Sequence, residues 1–327
     1  MFCDPPSPPE LFDWYIVETN KRKSCILAPL PSSLDLSFVL PSAVTGQPAL
    51  VQDAWLKPNL VPGAVRAALP YEFARSALFA AQPANLKARK VFTKETEIAS
   101  VAGFRIYQRT GKQLTQAEET LWLELLKLAL KQPATVDASR IPVYFTANGM
   151  LKQLGKSQDS KNRAALRASL HLLGDARIRV EREDGADWTA NLIDIGTKPQ
   201  LSDVTMAVYI DRALATCLSS GYTLANLEQR RALKDNPLAQ WLHGYYSSHR
   251  APAPIHSSAL QRLSSCDRMR AKLWETKLQA ALSELSTVTG WGCEYDSRTC
   301  VVQVDRRLAP PKPAIQAALP FDDDDDI

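Results

Sequence analysis

The spacing of apolar residues changes several times along the chain, and each change marks an element. Residues 1–70 carry half of the 22 prolines and only short apolar clusters such as Leu34-Asp35-Leu36-Ser37-Phe38. A stretch of this kind cannot build long helices and is expected to drape over the body or stay partly disordered. From Tyr71 the pattern becomes regular. Lys90-Val91-Phe92 and Phe104-Arg105-Ile106-Tyr107 read as strands. Thr115-Gln116-Ala117-Glu118 has capping-box spacing, and Leu121, Trp122, Leu125 and Leu128 then predict an amphipathic core helix. Val143-Tyr144-Phe145 reads as a strand. Thr146 then caps a short helix that carries Leu151 and Leu154 and stops at Gly155. A second helix buries Leu166, Leu170 and Leu173 and ends at Gly174. Strands follow at Ile178 and Val180, at Trp188 to Ile195, and at Val208 and Ile210, with Asp184-Gly185 turning between the first two.

The same order then recurs. Asn236-Pro237 starts a helix with one face formed by Leu238, Trp241, Leu242 and Tyr245. Ser257 or Ser258 is expected to cap a short helix with Leu260 and Leu263. A longer helix beginning near Asp267 buries Ala271, Trp274, Leu278, Leu282 and Leu285. A hairpin runs through Trp291, Cys293 and Tyr295, turns at Asp296-Ser297 and returns along Cys300 to Val304. Helix, short strand, short helix, turn, longer helix and hairpin is the order of a winged helix. The expected fold class is therefore α+β: tandem winged-helix domains over residues 71–215 and 222–307, a proline-rich segment over 1–70, and a flexible segment over 308–327.

Composition narrows the function. With 327 residues, 45% hydrophobic and 23% charged, the chain has the make-up of a soluble protein of about two domains. No apolar run has the length of a membrane span, so no membrane partner is expected. Met1-Phe2-Cys3-Asp4-Pro5-Pro6 has no charged start followed by an apolar block, which makes the cytoplasm the expected location. The net charge is +4, and it becomes +9 once the five acids Asp322–Asp326 are set aside. A moderately basic body favours an anionic partner, of which nucleic acid is the commonest. The six cysteines form no C-x-x-C pair and the four histidines form no H-x-H or H-E-x-x-H, so neither a metal nor another cofactor is expected. No G-x-x-x-x-G-K-[ST] loop is present, which argues against an intrinsic ATPase, and the chain is read as a non-enzyme. A nickase using Tyr245 or Tyr246 would need a metal held by a histidine pair that the sequence lacks.

In a helix-turn-helix the second helix enters the major groove of duplex DNA. Opposite the apolar stripe of the C-terminal long helix lie Met269, Lys272 and Thr276, with Arg270 and Lys277 on one flank and Arg268 on the other near the helix start. Long cationic donors there can pair with guanine edges or phosphates, and Arg298 near the hairpin tip can reach a groove or a phosphate. The first unit is less basic: Lys161, Ala164, Ala168 and His171 face outward with Arg163 and Arg167 at the edges, which predicts more backbone-directed contact. A solvated basic surface would show the same pattern in both helices. Farther on, Gln316, Leu319 and Phe321 form a Gln-x-x-Leu-Pro-Phe string that looks like peptides docking on the bacterial sliding clamp. The neighbouring aspartates would either keep the protein soluble or screen its basic face.

Ala74-Arg75-Ser76-Ala77-Leu78-Phe79, Tyr245-Tyr246-Ser247-Ser248-His249-Arg250 with Pro252 and Pro254, and Arg270-Ala271-Lys272-Leu273-Trp274 resemble plasmid replication initiators of the TrfA family over about residues 71–290. The resemblance implies two winged-helix domains, binding to repeated origin sequences (iterons), opening of adjacent AT-rich DNA, and recruitment of the host initiator and replicative helicase, with a homodimer as a further expectation. Family proteins carry their clamp peptide before the Ala-Arg-Ser-Ala-Leu-Phe string, whereas here the candidate follows the second unit. A winged-helix transcriptional repressor remains the alternative. Arg250 is expected to bind the last carbonyls of the helix before it rather than DNA.

Overall fold

Arg66-Ala67-Ala68-Leu69-Pro70, buried from Ala67 onward, forms the first strand of the computed structural model, which describes residues 65–84, 89–131, 140–185, 187–195 and 206–308. The first part of the chain holds β1 (Arg66–Pro70), α1 (Tyr71–Ala74), β2 (Phe79–Ala80), β3 (Val91–Phe92), β4 (Thr96–Ile98), β5 (Phe104–Gln108), β6 (Gly111–Lys112), β7 (Leu114–Thr115), α2 (Gln116–Ala129), β8 (Arg140–Phe145), α3 (Ala147–Gln153), α4 (Ser160–Asp175), β9 (Arg177–Arg182), β10 (Trp188–Asn191), β11 (Met206–Asp211) and α5 (Ala215–Ser220). The second holds β12 (Tyr222–Asn226), α6 (Leu227–Ala232), α7 (Pro237–Ser247), β13 (Ile255–His256), α8 (Ser257–Leu263), α9 (Ala271–Thr289), β14 (Gly292–Asp296) and β15 (Val301–Asp305). The chain is thus α+β. Residues 66–70 do not drape: β1 pairs antiparallel with β12 along its whole length and buries Ala67, Ala68 and Leu69.

Two apolar clusters hold these elements. The first gathers Phe73, Phe79 and Trp122, whose rings lie 5.1–6.4 Å apart, together with Val143, Leu166, Leu170 and Leu173. The second gathers Trp241, Leu242, Tyr246, Trp274, Leu278, Leu282 and Val302. Sheet pairing distinguishes them. β13, β15 and β14 form one three-stranded sheet in that order, so the hairpin β14–β15 is completed by the short strand before α8. In the first part β8 pairs instead with β11, and the hairpin β9–β10 is absorbed into a four-stranded sheet of order β10-β9-β5-β4.

The capping box at Thr115 forms, with the Thr115 amide donating to Glu118 Oε2 at 2.9 Å. The helix it starts is not amphipathic in the expected sense. Leu121, Trp122 and Leu125 are buried, but so are Glu118, Glu119, Glu124 and Lys127, because elements distant in sequence cover the polar side. Arg89 meets Glu118 at 2.8 Å, Arg230 meets Glu119 at 3.0 Å, and Arg231 meets Glu124 at 3.1 Å. Arg230 is fully buried; its Nη2 also donates to Gln116 and Thr120, and Gln240 Nε2 donates to its carbonyl at 2.8 Å. This polar knot ties α2 to α6 and α7. Unpaired, such groups would each cost several kcal/mol, about as much as a large core side chain contributes.

Other expected boundaries shift by a few residues for local reasons. Thr146 caps α3 by accepting from Gly149 N at 3.0 Å, and Gly155 beyond it is left-handed at φ +67°. α4 runs through Gly174 to Asp175; a Cβ at Gly174 would stand 3.3 Å from Ile195, so that glycine serves packing rather than termination. The strand expected to reach Ile195 ends at Asn191, after which Asp194 bridges to Tyr209. The N-cap of α8 is His256, whose Nδ1 accepts from the Ser258 amide at 3.3 Å, and not either serine.

The two strings Ala74–Phe79 and Tyr245–Arg250, far apart in sequence, meet. Arg75 Nε donates to Ser248 Oγ at 2.9 Å and its Nη2 bonds the Ser248 carbonyl, while Trp241 Nε1 donates to the Ser76 carbonyl at 3.1 Å. Arg306 bonds the carbonyls of Ser247 and His249. Arg75 and Arg306 thus finish α7, and Arg250, expected in that role, is exposed. Among the described residues no helix is long and apolar enough to cross a membrane.

Candidate nucleic-acid interface

The turn between α8 and α9 sets the direction of α9. Ser264 is fully buried and Ser265 takes a left-handed φ of +59°, a conformation that a residue with a Cβ adopts only under outside constraint. The constraint comes from the first part of the chain: Gln113 Nε2 donates to Ser265 Oγ at 2.6 Å, Gln82 Nε2 donates to the Ser265 carbonyl at 2.9 Å, and Ala81 N donates to the Ser264 carbonyl at 3.0 Å. Gln261 Nε2 then spans the turn to the carbonyls of Cys266 and Met269 at 3.1 and 2.9 Å. That closed turn is why α9 begins at Ala271 and not near Asp267. Arg268, Met269 and Arg270 precede the helix, and Arg270 is its N-cap.

Trp274, Leu278, Leu282 and Leu285 face the second core as expected. Two residues are exchanged: Ala271 is exposed, and Met269, expected outside, packs against the core because the turn folds it inward. Arg268, Arg270, Lys272, Thr276 and Lys277 are all exposed, as is Arg298 at the tip of the β14–β15 hairpin. Among the described residues no carboxylate lies in ion-pair range of these cations. The N-cap Arg270 makes no side-chain cap, so the first amides of α9 are open and carry the positive end of the helix dipole. Leu273, 49% exposed, places an apolar side chain between Arg270 and Thr276, the kind of group that meets a thymine methyl. Arg262, one helix upstream on α8, is exposed as well, and its basic side chain is legible in the sequence.

The hairpin tip is built by Asp296, which accepts from the Arg298 amide at 2.8 Å and from the Thr299 hydroxyl at 2.8 Å. These bonds hold its carboxyl below the usual range and leave the Arg298 side chain free of the turn.

The first helix-turn-helix presents different chemistry. Lys161 is exposed, but Arg163 is half-buried and donates from Nε to Asn148 Oδ1 at 3.1 Å, tying α4 to α3. Arg167 is half-buried and engaged. Ala168 and His171 line one wall of a groove of about 680 Å³ whose other wall includes Val91 and Lys112. Asp159 caps α4 by accepting from Asn162 N at 2.7 Å, so this helix start is already satisfied by a carboxylate. The Ser157 hydroxyl and the Asn162 amide hold that carboxyl low.

Tyr245 and Tyr246 are buried, and burial pushes both phenols up, which removes them as accessible nucleophiles. Among the described residues no group of three or more metal-ligating side chains is assembled. Cys217 and Cys266 are buried thiols, and Cys293 stands opposite Val304 rather than Cys300. Gln316, Leu319, Phe321 and the aspartate run lie outside the described residues.

No protein-family model matches the chain. A curated relative does. The chain is similar to the plasmid replication initiator protein TrfA of Escherichia coli. The two are 25% identical over 227 residues, which is 67% of this chain and 56% of TrfA, so the chain spans little more than half the length of that relative. Among solved structures, crystals of domains 2 and 3 of RctB superpose with a TM-score of 0.48 at 14% identity, covering 72% of this chain and 98% of theirs. A second RctB domain 2–3 crystal structure gives 0.40 at 13% identity over 70% of this chain and 93% of its own.

Proposed function

We propose that the protein is a plasmid replication initiator that binds the duplex of its origin, in repeated sites, through the start of α9. The observation that carries this reading is the set of exposed cations Arg268, Arg270, Lys272 and Lys277 around an uncapped helix start whose direction is fixed by a clamped turn. The similarity to TrfA supplies the biological setting. In this reading residues 222–307 form a winged helix, with α9 in the major groove, Thr276 beside it, and Arg298 on the wing meeting a phosphate or a groove. Residues 71–215 form a modified one whose Lys161, Arg163 and Arg167 make fewer, backbone-directed contacts. Binding energy rather than nucleotide hydrolysis strains the duplex. Gln316, Leu319 and Phe321 would engage the sliding clamp, and the host initiator and helicase join once the origin opens.

A plasmid whose replication depends on this gene and its flanking repeats tests the reading. Maintenance by the wild type, and loss with Arg270→Ala plus Lys272→Ala, is the expected result. A protein that binds the repeats yet never sustains the plasmid is a repressor instead.

A further inference from the structure

Five consecutive aspartates, Asp322–Asp326, have no role in the function proposed above, and the cationic start of α9 has no acidic partner among the described residues. Between Arg262 and Lys277 the chain places five cations and two acids, Asp267 and Glu275. All five cations are exposed. We infer that the aspartate run docks on this face of its own chain, around Arg268, Arg270, Lys272 and Lys277, and competes there with the phosphates of duplex DNA. The inference rests on the reading of α9 as the DNA-gripping element.

Geometry allows the contact. β15 returns antiparallel to β14 so that Asp305 stands opposite Gly292, two residues beyond the left-handed Gly290 that ends α9. The described chain therefore reaches Leu308 close to the C-terminal end of α9, about 28 Å from the helix start at 1.5 Å per residue. Asp322 stands fourteen positions beyond Leu308, with thirteen residues between them. A chain of that length spans at most about 48 Å, more than the length of α9. The tether holds the aspartates at an effective concentration of about a millimolar around α9. That suits a contact which discriminates against weak, non-specific duplex while a correct site displaces it.

The charges also match in kind. Carboxylates one after another present a linear polyanion, and the open amides at the start of α9 favour such groups as they favour phosphate. The same amides on α4 are already occupied by Asp159, so the first helix-turn-helix offers the run a weaker seat.

Lysine acetylation in the absence of DNA tests the contact directly, in the full chain at about 50 mM salt, where the Debye length is still above ~10 Å. The variant carries Asn at each of Asp322, Asp323, Asp324, Asp325 and Asp326, leaving Gln316, Leu319 and Phe321 intact. In it Lys272 and Lys277 are expected to react about two-fold faster than in the wild type, as for a tethered contact of about millimolar strength. Lys94 and Lys112, exposed in the first part, are expected to be unchanged. Affinity for a mixed-sequence duplex should rise by a similar factor, and the gain should fade as salt screens the contact. Unchanged rates at Lys272 and Lys277 overturn the inference, and so does an equal increase at all four lysines, which is an effect of net charge alone. Because the acetylation contains no DNA, protection can stand even if Arg270→Ala with Lys272→Ala leaves duplex binding intact; that second result would remove the functional reading and not this contact.

Discussion

The two helix-turn-helix units share an order of elements and differ in what they leave open. α4 starts at a carboxylate cap, commits Arg163 to Asn148, and turns Ala168 and His171 toward a groove of the same protein. α9 starts at an uncapped arginine and leaves Arg268, Arg270, Lys272 and Lys277 in solvent. The hairpins differ in the same sense. β9–β10 is extended on one side by β5 and β4 into a four-stranded sheet, whereas among the described residues β14–β15 is joined only by the two-residue β13; both hairpins keep one outer edge. One pattern thus yields a scaffold in one place and an open cationic face in the other. The deciding variable is the capping and pairing chemistry around each second helix, not the order of helices and strands.

The comparison requires the two parts to be held together, and the buried Arg230 does that. Arg230→Ala leaves Glu119 buried without its partner and is expected to lower stability by about 3–5 kcal/mol, measured by urea unfolding. If the loss is below about 1 kcal/mol, the knot contributes little to holding the two parts together. The next largest effect falls on binding. Arg270→Ala with Lys272→Ala is expected to weaken duplex binding about 10–100-fold, that is by about 1.4–2.8 kcal/mol, with folding unchanged. Lys161→Ala with Arg163→Ala should weaken it only about 2–5-fold. Equal losses in a salt-matched gel shift would erase the contrast between α4 and α9.

A pH effect is expected from the second core. His243 is buried against Trp291, with ring centroids 5.8 Å apart. Burial first, then the nearby Arg230 and Arg306, lower its pKa to about 3. The folded state therefore keeps the ring neutral while the unfolded chain gains a proton below about pH 6.5. Its stabilising contribution is complete above that pH and is lost as pH falls toward 3, so the protein should lose about 2 kcal/mol between pH 7 and pH 5 from this group. His243→Gln should flatten that part of the profile; an unchanged pH dependence would show that other groups produce it. The smallest effect is expected at the wing, where Arg298→Ala should reduce the salt slope of duplex binding by about one ion.

Much of this arrangement was legible in the sequence because it is local. Thr115 and Glu118, Thr146 and Gly149, and Asn236 and Ala239 are neighbours along the chain, and their caps form as their spacing predicts. The apolar stripe of α9 is local too, and its cations come out exposed. What escaped was non-local. Nothing near Glu118, Glu119 or Glu124 announces the arginines that bury them from positions 89, 230 and 231. Arg163 reads as a free cation until Asn148 is beside it. The meeting of Arg75 with Ser248 explains in physical terms why both of those strings stand out: they form one junction, and neither needs to touch DNA. The start of α9 was misplaced because Gln261, on the preceding helix, closes the turn through Met269.

In the proposed function the cations at the start of α9 sit against phosphates and base edges of a duplex. Measuring the equilibrium constant for a mixed-sequence duplex against salt concentration, for the wild type and for Arg268→Ala, Arg270→Ala and Lys272→Ala combined, tests it most directly. A salt slope lower by about two to three ions is expected in the triple variant, with an unchanged circular dichroism spectrum. The same slope and the same affinity in both proteins would contradict it.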